Sequence, residues 1–358
     1  MGRSKKNKDL EEGKILLDEE VVLPLIEKPV YTETSCAELH RKFTQKQLKI
    51  QPYFQRNFVW KNDAQTRFID SLVKGLPIPN LCIVEDSKTE EWIVIDGQQR
   101  ISTILKFLGD DKWKLKKLDD IDPNISGKKI SNVKNDTPSL YKRVENTVIP
   151  VTIIRCDFSL QSQKENLFNV FHRLNTGGQK LNHQEIRNCI YGVNFNKLLR
   201  EIAKSDDWKK VIRETNDNDR LESEEMVLRI FAFIDKLDDY KEPLSKFLND
   251  YMFEKQNISD DELEEKKEML IFSLSFIKDK IDNLIKDNKL GKTQKEGLLV
   301  GVVKNIEELN SKSKVEFQSL FQKFINAEEF KPENLKQGLS KKDNVQPRLR
   351  KSISIFEG

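Results

Sequence analysis

The sequence predicts an α+β protein in which a mixed α/β region precedes an all-α one. Up to about Arg155, short apolar runs bounded by proline and glycine alternate with stretches of helical spacing. From Phe195 onward only helical periodicity remains. Between them, the apolar run Trp92 to Ile95 stops abruptly at Asp96-Gly97-Gln98-Gln99-Arg100, a polar junction that opens onto helical spacing. This pattern divides the chain into a polar arm (1–29), a mixed region (30–193), a helical region (194–335) and a basic tail (336–358).

Taken in order, residues before about Lys28 are polar except for Val21 to Ile26, which reads as an arm or a first strand. Leu48-Lys49-Ile50 is a short strand ended by Gln51-Pro52. Asn62 to Lys74 reads as a helix, with Phe68, Ile69, Leu72 and Val73 on one face. Asn62 or Asp63 is placed to cap its start, and Gly75 to stop it. Pro77 and Pro79 lead into the strand Leu81 to Val84, with Glu90 to Ile95 as its hairpin partner.

After Asp96, the residues Ile101, Ile104, Leu105 and Leu108 recur at helical spacing. Lys112 to Asn146 is charged, contains Pro123, Gly127 and Pro138, and reads as a long surface excursion; Thr147 to Ile154 returns to strand. Ser159 to Leu174 is helical, with Leu167, Val170, Phe171 and Leu174 inward. Asn175-Thr176-Gly177-Gly178 breaks that helix, and Asn182 to Glu185 opens the next with capping-box spacing, Leu181 and Ile186 standing at staple positions. The helical region shows apolar faces at Leu198, Leu199 and Ile202, at Val227, Ile230, Phe231 and Ile234, and at Leu320, Phe321 and Phe324. The stripe Leu270, Leu274, Ile277, Ile281 and Leu284 fits an intramolecular core face better than an oligomer seam.

Composition sets limits on function. The chain has 358 residues, enough for two cores, and 34% of them are charged. A net charge of +3 is too small to argue for nucleic acid by itself, although both ends are basic. Four cysteines without paired spacing, two of them (Cys82 and Cys156) in strand-like runs, point to small core residues in a reducing compartment. The N-terminus lacks a signal-peptide apolar stretch and no run reaches membrane-span length, so a cytoplasmic protein is expected. The three histidines, His40, His172 and His183, lack metal-ligand spacing, no P-loop occurs, and nothing positions a Cys–His nucleophile pair.

Three constellations carry chemistry. In the first, Asp96 can cap the following helix with Gln99 reaching back, which leaves Gln98 and Arg100 to be explained. Arg100 borders the buried stripe and can present a fork of donors to phosphate oxygens. Ser102 and Thr103 stand in the same turn as further donors, Gly97 relieves crowding, and Asp96 beside a phosphate calls for a bridging Mg²⁺. The second is Tyr53-Phe54-Gln55-Arg56-Asn57-Phe58-Val59-Trp60. Phe54 and Phe58 fit a plug fastening helix to sheet, whereas Tyr53 and Trp60 offer stacking faces and Gln55 and Arg56 can bind a base edge or a phosphate. The third is His172-Arg173-Leu174-Asn175-Thr176-Gly177-Gly178, where paired glycines allow close backbone approach by a ligand, although such a turn also serves as a plain helix stop.

These segments, with Lys74-Gly75-Leu76-Pro77-Ile78-Pro79 and Asn182 to Asn188, occur in an order that resembles the DGQQR-motif N-terminal domain of GmrSD-type modification-dependent restriction enzymes, over roughly residues 30 to 200. The resemblance implies a ParB/sulfiredoxin-like fold that binds a nucleoside triphosphate of unspecified base, with hydrolysis left open, as a sensor or regulatory component of a restriction system against phage DNA. It makes Asp96, Gln98, Gln99 and Arg100 the catalytic candidates, with Asp96 on a metal or the attacking water and Arg100 with Arg56 on phosphate charge. Gln55, Arg56, Arg173 and Asn175 would then line the same cleft. Restriction members of this kind carry a C-terminal His-Asn-His nuclease module, yet no histidine follows residue 200. DNA cleavage is therefore expected from a partner chain or from other residues, with a nuclease or ATPase as the partner protein and DNA as the shared target. Two other readings stay open: a non-catalytic module that recognises modified DNA, and a ParB-like enzyme that nicks DNA.

Overall fold

The computed structural model describes residues 28–50, 60–174, 182–213, 221–335 and 338–358. The expected arm or strand at Val21 to Ile26 and the staple residue Leu181 lie outside them. The architecture is the expected one, mixed α+β followed by helices. A five-stranded sheet runs in the order β1 (Val30–Ser35), β5 (Val148–Cys156), β3 (Leu81–Asp86), β4 (Trp92–Asp96), β2 (Leu48–Lys49). β3 and β4 form the expected antiparallel hairpin; β3 is parallel to β5, β2 to β4, and β1 is antiparallel to β5.

Alternation along the strands explains the layering. Ile149, Val151 and Ile153 of β5, Leu81 and Ile83 of β3, and Trp92 and Val94 of β4 enter one core. Cys82 and Val84, Ile154 and Cys156, with Ile93 and Ile95 against them, enter the other. Both faces are covered, so the middle strands are apolar nearly throughout.

The first core is closed by α1 (Cys36–Thr44), α2 (Asn62–Val73) and α3 (Gln98–Gly109). Periodicity alone did not single out α1, which Ser35 caps by accepting the Glu38 N–H at 3.1 Å. The start of α2 differs from expectation: Lys61 occupies the cap, and no side chain bonds there. Its end is a Schellman closure, in which the Gly75 N–H donates to Leu72 O at 3.1 Å and the Leu76 N–H to Ser71 O at 2.9 Å.

The expected surface excursion after Lys112 is instead a folded layer. It carries α4 (Ile130–Asp136) and α5 (Pro138–Asn146) and buries Trp113, Leu115, Ile121, Ile125, Tyr141 and Val144 in the first core. Its polar groups dock onto α2: Trp113 Nε1 donates to Asn62 Oδ1 at 3.0 Å, the Asp122 N–H to Asp70 Oδ1 at 2.9 Å, and Arg143 to Val73 O at 3.0 Å. Charged residues there hold the layer's outer face, which is why the stretch looked solvated.

The second core begins with α6 (Gln161–Leu174) and α7 (His183–Ile190) and continues through α8 (Val193–Lys204), α9 (Asp206–Ile212), α10 (Glu222–Lys236) and α11 (Leu244–Glu254). It does not divide at residue 193, because Leu167, Phe168, Phe171, Ile186 and Ile190 join the same cluster as the later helices. The long stripe lies on α12 (Asp260–Asn288), which kinks at Ile281 and buries Leu270, Leu274, Ile277 and Ile281. After it come α13 (Lys292–Lys304), α14 (Ile306–Leu309) and α15 (Lys314–Asn326).

The expected basic tail is corrected as well. Residues Lys342–Glu357 form α16, which sinks Val345, Leu349 and Phe356 into the second core; apolar residues at helical spacing between the cations drive this. No helix among the described residues is long and apolar enough to cross a membrane.

Candidate functional site

The β4–α3 turn brings the first constellation together. Gly97 sits at φ +93, a left-handed conformation, and is itself the helix cap, so Asp96 does not cap α3 as expected. A Cβ at Gly97 would lie 2.3 Å from Leu81 Cδ2 and 3.1 Å from the Arg100 guanidinium. Glycine is therefore required twice there, by backbone conformation and by space. The N–H groups of Gln98, Gln99 and Arg100 open α3, and the Ile101 N–H is the first to bond back, to Gly97 O at 2.9 Å.

The side chains of this turn are largely engaged with their own chain. Arg100 pairs with Asp96 at 2.9 Å, bonds to Pro79 O and reaches Asn80 O at 3.3 Å. It thereby ties the Pro-rich segment before β3 to α3. Burial lowers its pKa and Asp96 opposes that shift; a guanidinium stays charged regardless. The Asp96 side chain is 64% exposed. Gln99 Oε1 accepts the Trp60 N–H at 2.9 Å, and Gln98 donates weakly to Val94 O at 3.4 Å. Ser102 is half-buried. Thr103 is fully buried and its hydroxyl donates to Gln99 O at 2.7 Å.

Of the second constellation, Trp60 is described. Its ring meets Phe68 edge-on at 5.4 Å and packs on α2, while its backbone is fixed to Gln99. Tyr53, Gln55 and Arg56 lie outside the described residues, as do Asn175, Thr176, Gly177 and Gly178 of the third. Arg173 stands exposed at the end of α6. Among the described residues, no hydrogen bond or ion pair joins it to the β4–α3 turn.

A polar hub on α7 lies within the Asn182 to Asn188 segment, to whose residues the sequence alone assigns no site role. The capping box is present, Glu185 N–H donating to Asn182 Oδ1 at 2.8 Å and Asn182 N–H to Glu185 at 2.7 Å. Behind it, Arg187 is 1% exposed and bonds Asn249 of α11 at 2.9 Å, Gln184 at 3.1 Å and Glu225 of α10 at 3.1 Å. Asn188 donates to Glu224 at 2.8 Å. These contacts lock α7 to the helical region. The signal was available, since Gln184, Arg187 and Asn188 share one helical face with apolar neighbours on both sides.

Other chemistry finds little support among the described residues. The thiols of Cys36, Cys82 and Cys156 are each pushed up to about 12, chiefly by burial, and Cys189 is also raised by burial, so none is poised as a nucleophile. No group of three or more His, Cys, Asp or Glu converges as a metal cage among the described residues.

With the geometry in place, comparison with known proteins adds one match. Residues 38–192 fit the family model described as GmrSD restriction endonuclease, N-terminal domain. Neither a curated protein nor a solved structure matches the chain. The matched span runs from α1 to the end of α7, and so contains the β4–α3 turn and the α7 hub.

Proposed function

We infer that this chain, whose residues 38–192 form an N-terminal domain of the GmrSD restriction-endonuclease type, is a nucleoside-triphosphate-binding component of a restriction system. One observation carries the reading. The first-turn amides of α3, unbonded among the described residues, the exposed carboxylate of Asp96 and the charge of Arg100 meet at the carboxyl end of β4, where open α/β sheets take ligands.

Phosphate oxygens would accept from the amides of Gln98, Gln99 and Arg100, which the left-handed turn at Gly97 sets at the start of α3. Arg100 adds a fixed positive charge next to that turn while holding the Pro79–Asn80 segment in place. Asp96 fits a magnesium ion that arrives with the nucleotide, since one carboxylate plus phosphate oxygens and water is a common donor set for that ion. Such an ion supplies charge neutralisation on the phosphates. Hydrolysis, if it follows, would use Asp96 to orient water. Cutting of DNA falls to a partner chain in this reading.

The test is titration calorimetry with each of the four ribonucleoside triphosphates, with and without Mg²⁺, on the intact chain and on Asp96→Asn. At least one triphosphate should bind, and the Mg²⁺-dependent part of its affinity should be lost in Asp96→Asn. Absence of binding by all four, or an unchanged Mg²⁺ dependence in the variant, would overturn the assignment.

A further inference from the structure

At the opposite end of α3 from the Asp96 turn, about 15–18 Å along the helix, lies a groove of about 940 Å³. It runs along β2, one of the two edge strands of the sheet, and its far wall is the corner between α7 and α8. Buried Leu48 and Leu105 form its floor, and Phe43 and Val193, 45% and 74% exposed, stand at its margins.

Three features identify what fits there. First, β2 has an open edge. Gln47 O accepts the Trp92 N–H at 2.7 Å, so that residue's polar groups point toward β4, and by alternation those of Leu48 point to the groove side. No strand covers that edge among the described residues. Second, Asn196 lines the groove at 3% exposure with an unsatisfied acceptor. Its Nδ2 donates to Tyr191 O at 3.1 Å and Gly192 O at 3.0 Å, while its Oδ1 is buried with no donor among the described residues. That atom wants an N–H, which a phosphate does not supply.

Third, the charge is positive but modest. Lys49 is paired with Glu91 at 2.5 Å, and Lys106 lies over the Trp113 ring at 4.4 Å. Lys46 has no carboxylate partner among the described residues, and Asp110 is the acidic group of the lining. One available cation suits one carboxylate better than a run of phosphates, and one exposed phenylalanine is a poor platform for stacked bases.

We propose that this groove receives an extended peptide segment of a partner protein, added as a strand along β2, with apolar side chains in the groove and an acidic residue on Lys46. The peptide backbone hydrogen-bonds the open amide and carbonyl of Leu48, and supplies the N–H that Asn196 lacks once the α7–α8 corner opens to expose that oxygen, which is closed to solvent in the empty groove. Because one wall belongs to the α/β region and the other to α7–α8, an occupant would clamp the two against each other.

Fluorescence anisotropy on the full chain tests this, using a labelled synthetic peptide in which valine or leucine alternates with glutamate. Saturable binding is expected, weakened about tenfold or more by Lys46→Glu and by Val193→Asp, and lost when the peptide's central amides are N-methylated. Both substituted side chains are solvent-facing, so the melting temperature and triphosphate binding of the variants should match the parent, which separates this proposal from the nucleotide site. The proposal is overturned if the peptide does not bind, if a version with lysine for glutamate binds equally well, or if neither substitution alters its affinity. Binding of oligothymidylate that is sensitive to Lys46→Glu, without peptide binding, would assign the groove to single-stranded nucleic acid instead.

Discussion

Arg100 stands in two roles that a substitution can separate. Its fork spans Asp96 on one side and the carbonyls of Pro79 and Asn80 on the other, a geometry that an ammonium group cannot reproduce. Arg100→Ala should weaken triphosphate binding or turnover at least tenfold, a loss of about 1.4 kcal/mol or more, and Arg100→Lys should recover little of it. Calorimetry on folded, purified variants checks this, and unchanged affinity in Arg100→Ala would remove Arg100 from the site. His183 makes a second residue-scale case. Burial, and then the charge of Arg187, holds its imidazole down at about 4, with His172 and Phe168 rings each 5.4 Å away and Glu225 opposing. An unfolded histidine titrates near 6.5, so between those values the unfolded chain binds the extra proton. Stability from this group is therefore complete above about pH 6.5 and declines as the pH falls toward 4. Urea midpoints measured across that range should fall less steeply for His183→Gln than for the parent.

At the scale of elements, α16 packs where Gly301 of α13 lets it come close. Ser352 donates to Gly297 O at 2.7 Å, and a Cβ on Gly301 would lie 2.4 Å from Ser352 Oγ and 2.7 Å from Phe356. Gly301→Ala should therefore destabilise the protein by about 1–3 kcal/mol through overpacking, despite alanine's better helix propensity. Beside the same helix pair, Glu296 of α13, 1% exposed, lies between Arg229 of α10 at 2.5 Å and Arg348 of α16 at 3.6 Å. Glu296→Gln keeps the volume but leaves buried Arg348 without its anion and Arg229 with Glu225 alone, and should cost about 3–5 kcal/mol by chemical denaturation. A loss well under 1 kcal/mol would mean that water reaches those guanidinium groups. The elements legible in the sequence were those whose burial is one-sided or whose ends carry a stop signal: α2 with Gly75, the β3–β4 hairpin, α3 and the capping box of α7. The layer after Lys112 and the helix α16 were not, because each buries few residues per turn among many charges. What identifies them as packed is the partner surface, α2 in one case and the glycine face of α13 in the other, and no local window contains it.

For the whole molecule, the sheet is a shared wall and not the floor of a separate domain. One face of β3, β4 and β5 belongs to the core of α1–α5, and the other belongs to a core that continues without a break from α6 to α16. Reading the chain from one end to the other places a boundary near residue 193, since strands cease there. Packing follows faces instead, and a strand's two faces are interleaved residue by residue. The site inherits this arrangement: the Asp96 turn ends β4, whose Val94 faces one core and whose Ile93 and Ile95 pack against the other. A change at that turn is thus felt on both sides. Apolar burial scales with the surface removed from water, about 25 cal/mol per Å², so neither half can expose its side of the sheet cheaply. The full chain is accordingly expected to unfold in one cooperative transition, with coincident urea curves from tryptophan fluorescence and far-ultraviolet circular dichroism. Trp92 and Trp113 report the first core and Trp208 the second, so keeping only one set of tryptophans in turn separates their signals. A fragment covering 28–192 should lack that transition and bind hydrophobic dye, because Leu167, Phe168 and Ile186 lose the helices that cover them. If the fragment instead unfolds cooperatively at the parent's midpoint, the two cores are energetically independent, and coupling between the Asp96 turn and the helical region loses its physical basis.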